Sequence, residues 1–281
     1  MKKEQFNFML DMVRGQPWLA DKTEELKHVL YSDCECDTSR KLVSEIVNRF
    51  LYVSREENYR LLTGMAQEIV SEYSAREATT LIAALGVSSG VDSSQHVAYS
   101  LKSILEQKKW RRHMAVNDSS AAYRKGKSTG HNQIILVDEF VGSGQTVITQ
   151  VKSIRAQFES AKAVDYNVSV KVLVSTKVGL ENVIAAGIPI TAQRLVKKGI
   201  DDYYSIQEAS CYRDLMRSIE GNLSTEYLGR AMPSLGYNDA QATYCRQDGN
   251  TPNSVFPIFW WAFDKHNQDR CVLMIRAMGD A

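Results

Sequence analysis

The sequence has almost no net charge: 34 lysines and arginines stand against 33 aspartates and glutamates, a formal +1. That excludes a uniformly basic nucleic-acid coat but leaves room for a local basic patch. No run approaches the ~20 apolar residues of a membrane-spanning helix. Residues Met1 to Asp11 mix charges with Phe6, Phe8, Met9 and Leu10, without the apolar stretch and small-residue cleavage site of a secretory signal. Cysteine is sparse and odd in number. Cys34, Cys36, Cys211, Cys245 and Cys271 are too scattered for a disulfide framework, so reduced thiols and a cytoplasmic location are expected. Cys34-Glu-Cys36 lacks a second close pair, and His28, His96, His113, His131 and His266 show no metal-ligand spacing. A Walker A loop, a dinucleotide fingerprint, a G-x-S-x-G elbow, internal repeats and low-complexity tracts are all missing.

What is present suits a globular α/β chain. With 281 residues, 44% of them hydrophobic, there is material for one large domain or one with a smaller partner. Residues 1–76 read as helical throughout. Leu42, Ile46, Val47, Phe50 and Leu51 predict a helix over 41–53, and Leu61, Leu62, Met65, Ile69 and Val70 one over 58–73. The rhythm changes at Thr79. The short apolar runs 81–85, 134–137 and 168–174 predict buried strands, separated by helices over 93–107, 145–158 and 179–186. Strand alternating with helix implies a mainly parallel sheet flanked by helices, over 77–205. Residues 206–281 form a looser extension, with a helix expected over 212–219 and a Gly/Asn/Pro-rich stretch leading to the run from Phe256 to Trp261.

The chemistry concentrates in Ile134-Ile135-Leu136-Val137-Asp138-Glu139-Phe140-Val141-Gly142-Ser143-Gly144-Gln145-Thr146. This is a strand, two acids at its carboxyl end, a glycine-bearing turn and a helix start. Gly142 and Gly144 allow backbone N–H groups to face an anion, Ser143 and Thr146 add hydroxyls, and the helix N-terminus adds partial positive charge. Carboxylates beside a phosphate cradle make sense if they accept hydrogen bonds from sugar hydroxyls or face Mg²⁺. An ordinary strand–turn–helix with two surface acids is the competing reading. An earlier turn, Gly86 to Ser94, repeats the strand–turn–helix pattern, and Ser88, Ser89, Gly90, Val91, Asp92 and Ser93 offer donors for a second anionic group.

The segment 134–146 resembles the phosphoribosyl-pyrophosphate (PRPP) signature of the type I phosphoribosyltransferases. The resemblance implies a phosphoribosyltransferase-type α/β core with an N-terminal helical region and a C-terminal hood. It would put Asp138 and Glu139 on the ribose hydroxyls, and Gly142, Ser143, Gly144, Gln145 and Thr146 on the 5′-phosphate. Ser88 to Ser93 would meet pyrophosphate. Mg²⁺ would be held mainly by ligand oxygens, with Asp138 as a candidate protein ligand. The family usually has Asp where Glu139 stands. The stretch Tyr123-Arg124-Lys125-Gly126-Lys127 resembles the mobile flap of orotate phosphoribosyltransferases, which would make Arg124 and Lys125 catalytic cations. A solvated basic loop is the plainer alternative. His96 would lie near the diphosphate if it is not simply solvated.

The turn Asn250-Thr251-Pro252-Asn253 before Pro257-Ile258-Phe259-Trp260 resembles a bacterial phosphoribosyltransferase-like branch associated with conflict and anti-phage systems. There Asn250, Asn253 and Trp260 would bind an acceptor base by hydrogen bonding and stacking, unless the tryptophans pack in the core. The implied partners are PRPP or a nucleotide ligand, and a homodimer or defence complex. No membrane is involved, and nucleic acid enters only as acceptor or through such a complex. Transfer or hydrolysis of the phosphoribosyl group is the expected activity, and a non-catalytic nucleotide sensor is its alternative. Ser89-Gly90-Val91-Asp92-Ser93-Ser94 also resembles the loop of ATP pyrophosphatases, without its second glycine. Finally, residues 108–127 hold seven Lys/Arg against one acid, Asp118. That is +6 within a total of +1, so the rest of the chain carries −5, which suggests basic charge gathered towards one polyanion site.

Overall fold

Local amphipathic spacing closes the N-terminal residues into α1 (Lys3–Gly15), α2 (Thr23–His28) and α3 (Asp37–Asn48). The helix expected to run to Val53 stops earlier. The backbone leaves it at Arg49, and Leu51–Val53 forms strand β1, pairing in parallel with Tyr244–Arg246 near the other end of the chain. The computed structural model describes residues 2–86 and 92–280.

The middle of the chain alternates as its pattern requires. Helix α4 (Arg55–Tyr73) leads to β2 (Thr80–Ala84), α5 (Ser93–Gln107), β3 (Met114–Val116), α6 (Ala122–Thr129), β4 (Gln133–Val141), α7 (Gln145–Ser160), β5 (Asn167–Thr176), α8 (Lys177–Ala185) and β6 (Ile190–Val196). The five strands form one sheet in the order β3-β2-β4-β5-β6, and the β2–β3, β2–β4 and β4–β5 pairs are parallel. Strands β3 and β6 are additional to the three expected. β3 is only three residues long, and β6 keeps several residues exposed, so neither shows a continuous apolar run. One face of the sheet packs Leu81, Leu136 and Val170 against Val151 and Ile154 of α7 and Val183 of α8. On the face towards α4, Lys171 is 2% exposed, its Nζ 2.7 Å from Glu68 Oε1 and 2.8 Å from Glu72 Oε2. A buried cation is tolerated there because it is paired on arrival.

The remaining residues form α9 (Ile206–Glu220), β7 (Glu226–Tyr227), β8 (Arg230–Ala231) and β9 (Tyr244–Arg246), the partner of β1. Ser205 caps α9 reciprocally with Glu208. Phe256, Phe259, Trp260 and Trp261 are wholly buried, with Phe259 edge-on to Phe50 at 5.2 Å.

Two compact units result: Arg55–Leu195, and Met1–Ser54 together with Val196–Ala281. They cut the chain differently from the segments 1–76, 77–205 and 206–281. α4 belongs with the sheet, because its polar side chains meet β5. The two chain ends share one core, because β1 finds its partner in β9.

Candidate functional site

The strand order itself selects a crevice. After β2 the chain moves outward to β3, and after β4 it moves the other way to β5. The carboxyl ends of β2 and β4 therefore flank a topological switch point, where open α/β sheets bind ligands. On the β2 side, Asp92 caps α5: its Oδ1 accepts from Ser94 N at 2.9 Å, Gln95 N at 3.2 Å and Ser94 Oγ at 2.5 Å. A Cβ on Gly86 would lie 1.5 Å from Asp92 Oδ2, so any other residue there would push the capping carboxylate aside. Of the residues expected to meet pyrophosphate, Asp92 and Ser93 are described; Ser88, Ser89, Gly90 and Val91 lie outside the described residues.

On the β4 side, Asp138 Oδ1 accepts from Glu139 N at 2.7 Å and lies 3.5 Å from Ser93 Oγ. The fold thus brings Asp138, Asp92 and Ser93 together across the two strand ends. Burial, followed by the repulsion of Asp92 and Glu139, pushes the Asp138 carboxyl up to about 8, against the pull of the Glu139 N–H. The acidic pair is not presented as a pair. Successive strand side chains point to opposite faces, and while Asp138 stays partly open, Glu139 is only 3% exposed. Because β4 continues to Val141, the two acids remain on regular strand rather than on a turn.

The turn after β4 is held from below. Thr176 Oγ1 donates to Gly142 O at 2.5 Å and Asn182 Nδ2 donates to Ser143 O at 3.1 Å. A trans peptide points its C=O and N–H in opposite directions. With those two carbonyls tied to the β5–α8 corner, the N–H groups of Ser143 and Gly144 are aimed away from it. Gly144 has φ +80°, and a Cβ on it would lie 2.7 Å from Gly179 O. Gln145 and Thr146 open α7, whose first turn leaves N–H groups without intrahelical acceptors. The result is an anchored turn, its N–H groups turned away from the β5–α8 corner, beside a carboxyl cluster. Thr176, Gly179 and Asn182 were not anticipated. The available signal was a Thr three residues before Gly179 at the end of an apolar run, the spacing of a helix N-cap.

Other expectations are corrected. The basic stretch of the expected flap is helix α6, with Arg124 and Lys125 exposed in its first half. Gly126 faces inward, where a Cβ would lie 2.6 Å from His131 O, and Tyr123 packs edge-on against Phe158 at 4.9 Å. That packing favours a helix over a loose loop. His96 lies exposed on α5. Nor does the basic strip gather as a whole at the crevice. Lys108, Lys109, Arg111 and Arg112 follow the far end of α5, which at fifteen residues spans about 22 Å from Ser93; Arg111 pairs there with Glu106 at 2.8 Å. Trp260 is a core residue, 0% exposed, its Nε1 donating to Val255 O at 2.9 Å, so it offers no stacking surface. Asn250 Oδ1 accepts from Ala277 N at 2.8 Å, and Asn253 O accepts from Tyr237 N at 2.9 Å. All three belong to the unit built from the chain ends. Among the described residues no cluster of three or more His, Cys, Asp or Glu is placed to hold a metal unaided, and no helix is long and apolar enough to cross a membrane.

A parallel sheet with an anchored glycine turn at its switch point defines an open α/β protein of the kind that binds ligands at its strand ends. The PRTase-CE family model matches residues 36–270, and the chain belongs to that family, among the type I phosphoribosyltransferases. No curated protein matches it. Solved structures resemble it distantly. A hypothetical protein from Neisseria gonorrhoeae with bound ppGpp is 16% identical over 58% of this chain and 96% of that one, with a TM-score of 0.36. The xanthine-guanine-hypoxanthine phosphoribosyltransferase of Helicobacter pylori is 13% identical over 52% and 83%, with a TM-score of 0.30. The Schistosoma mansoni hypoxanthine-guanine phosphoribosyltransferase in complex with IMP is 12% identical over 52% and 65%, with a TM-score of 0.35.

Proposed function

We propose that the crevice between β2 and β4 binds PRPP, or a nucleotide presenting the same ribose 5-phosphate, together with Mg²⁺, and that the phosphoribosyl group is transferred or hydrolysed there. The observation that carries this reading is the turn Gly142–Thr146, tied down through its carbonyls beside Asp138 and Asp92. In the reaction the bond from ribose C1′ to the pyrophosphate oxygen breaks, that oxygen keeps the electron pair, and a nitrogen or water oxygen bonds to C1′. The turn would hold the 5′-phosphate and Asp138 a ribose hydroxyl, so the chain supplies mainly positioning and electrostatics. Arg124 and Lys125 enter as the cations that would neutralise departing pyrophosphate. Asp92 and Glu139 beside the Asp138 carboxyl, which burial and then their repulsion raise, fit a divalent cation nearby, which when bound would polarise the diphosphate.

Burial of Glu139 favours a second reading, in which the same site binds nucleotide without turnover. Calorimetry with PRPP and Mg²⁺, run beside a pyrophosphate-release assay, separates the two. Binding with release supports transfer or hydrolysis, binding alone supports a sensor, and no binding of PRPP or any nucleotide removes both. A role in anti-phage defence, as a homodimer or as a subunit of a larger complex, belongs to the proposal. Equal plaque formation with wild-type chain and Gly144→Ala would count against it.

A further inference from the structure

We infer that the unit built from the two chain ends carries a second ligand site, a cavity of about 430 Å³ that takes a neutral planar heteroaromatic molecule of the nucleoside class. The volume lies in the range of small-molecule sites. The site shares no residue with the sheet crevice, and the inference stands independently of the phosphoribosyl reading.

The cavity is walled in part by Trp18 and Tyr52, whose rings stack with centroids 5.1 Å apart and planes 2° from parallel. The Trp18 ring is fixed. Its Nε1 donates to Gln16 Oε1 at 2.8 Å, while Gln16 Nε2 donates to Asn48 O at 3.0 Å and Phe50 O at 3.1 Å, tying the ring to the entry of β1. The apolar lining continues through Leu273 and Ile275. That segment is held by Thr251, whose N and Oγ1 both donate to Ile275 O, at 2.9 and 2.7 Å. The Asn-Thr-Pro-Asn turn thus builds a cavity wall and need not contact ligand itself.

Charge decides the ligand class. Lys22 and Arg246 line the cavity with Asp21 and Asp248, so the formal charges cancel, and Lys22 lies 4.0 Å from Glu25 besides. A polyphosphate would meet no net positive field here. A flat ring carrying donors and acceptors along its edge would find apolar area for its faces and both kinds of polar partner at its rim.

Adenosine, guanosine, cytidine and uridine, titrated separately into the full chain, test the site by calorimetry and tryptophan fluorescence. Trp18 lines the cavity, whereas Trp110, Trp260 and Trp261 are buried, and a fluorescence change that is absent from Trp18→Ala is assigned to that ring. At least one nucleoside should bind, at least tenfold more weakly to Trp18→Ala and unchanged to Asp138→Asn. It should also slow alkylation of Cys245, which lines the cavity, but not of exposed Cys211, read residue by residue by mass spectrometry. If Trp18→Ala does not fold, Ile275→Trp should occlude the cavity and give the same loss. The inference is overturned if none of the four binds at millimolar concentration, if binding leaves Cys245 unprotected, or if affinity survives Trp18→Ala and is lost in Asp138→Asn. PRPP binding measured on the same preparations bears only on the crevice.

Discussion

The two compact units solve the same problem, satisfying a buried backbone, by different means. The sheet unit does it with ladders and helices. Outside glycine, its described residues have positive φ only at Lys109 and Lys162. The unit built from the chain ends has it at Leu228, Leu235, Asn238, Asp239, Gln241, Asp248 and Asn267. There, side chains stand in for regular pairing. Glu220 accepts from Leu235 N at 3.1 Å, Gln241 Oε1 accepts from the N–H groups of Ile200 and Asp201 at 3.0 Å, and Arg276 donates to Thr251 O at 2.6 Å. Every buried donor and acceptor still needs a partner, but the partners are now single side chains. Loss of one such supporting side chain should therefore cost folding first in the unit built from the chain ends.

Trp260→Ala should sharpen that contrast most. Emptying a fully buried tryptophan site costs about 3–5 kcal/mol, seen as a lower urea midpoint. If instead the protein stays stable and loses only an acceptor substrate, Trp260 is not the core residue described above. Gly144→Ala comes next, at about 2–4 kcal/mol from left-handed backbone plus a clash with the β5–α8 corner. Its loss of PRPP affinity should exceed what the fraction unfolded explains.

Asp138→Asn should be smaller in stability and opposite in sign. Asp138 holds its proton in the folded chain up to about pH 8, but in the unfolded chain only to the usual carboxylate range. Its folded state is thus favoured at acid pH and loses that advantage as pH rises from about 4 through 8. The variant should exceed wild type in stability at pH 9, a gap in melting temperature that closes by pH 5. In the other unit, burial raises Glu220 to about 7 despite its bonds to Ser234 and Leu235, so Glu220→Gln should shift the same profile over a window ending near pH 7. A pH-independent gap for either variant would contradict the assigned cause. Least of all, Arg124→Ala and Lys125→Ala should change stability by no more than about 0.5 kcal/mol each, while pyrophosphate release falls if α6 supplies the cations.

Legibility in the sequence follows the same division. The helices starting at Ser93 and Gln145 begin where the pattern places them, because a cap or a turn glycine immediately precedes an amphipathic run. The glycine turn was readable because its residues lie in one short contiguous stretch. Its anchors Thr176 and Asn182 were not, since they are joined to it only by the β4–β5 pairing. Strand β1 reads as helix because Phe50 and Leu51 sit at helical spacing, and only Tyr244–Arg246 makes extended backbone the better choice.

The apolar runs and the glycine turn by themselves pointed to an α/β chain that resembles the phosphoribosyltransferases, with its turn after the strand that carries Asp138 and Glu139. Tertiary structure alone decided that Glu139 is buried while Asp138 faces Asp92, that the basic strip divides between the segment after α5 and helix α6, and that Trp260 is core while Trp18 lines a cavity. The physical reason is range. Periodicity and turn chemistry act over a few residues, whereas burial, carboxylate repulsion and the meeting of β1 with β9 depend on contacts between residues far apart in the chain.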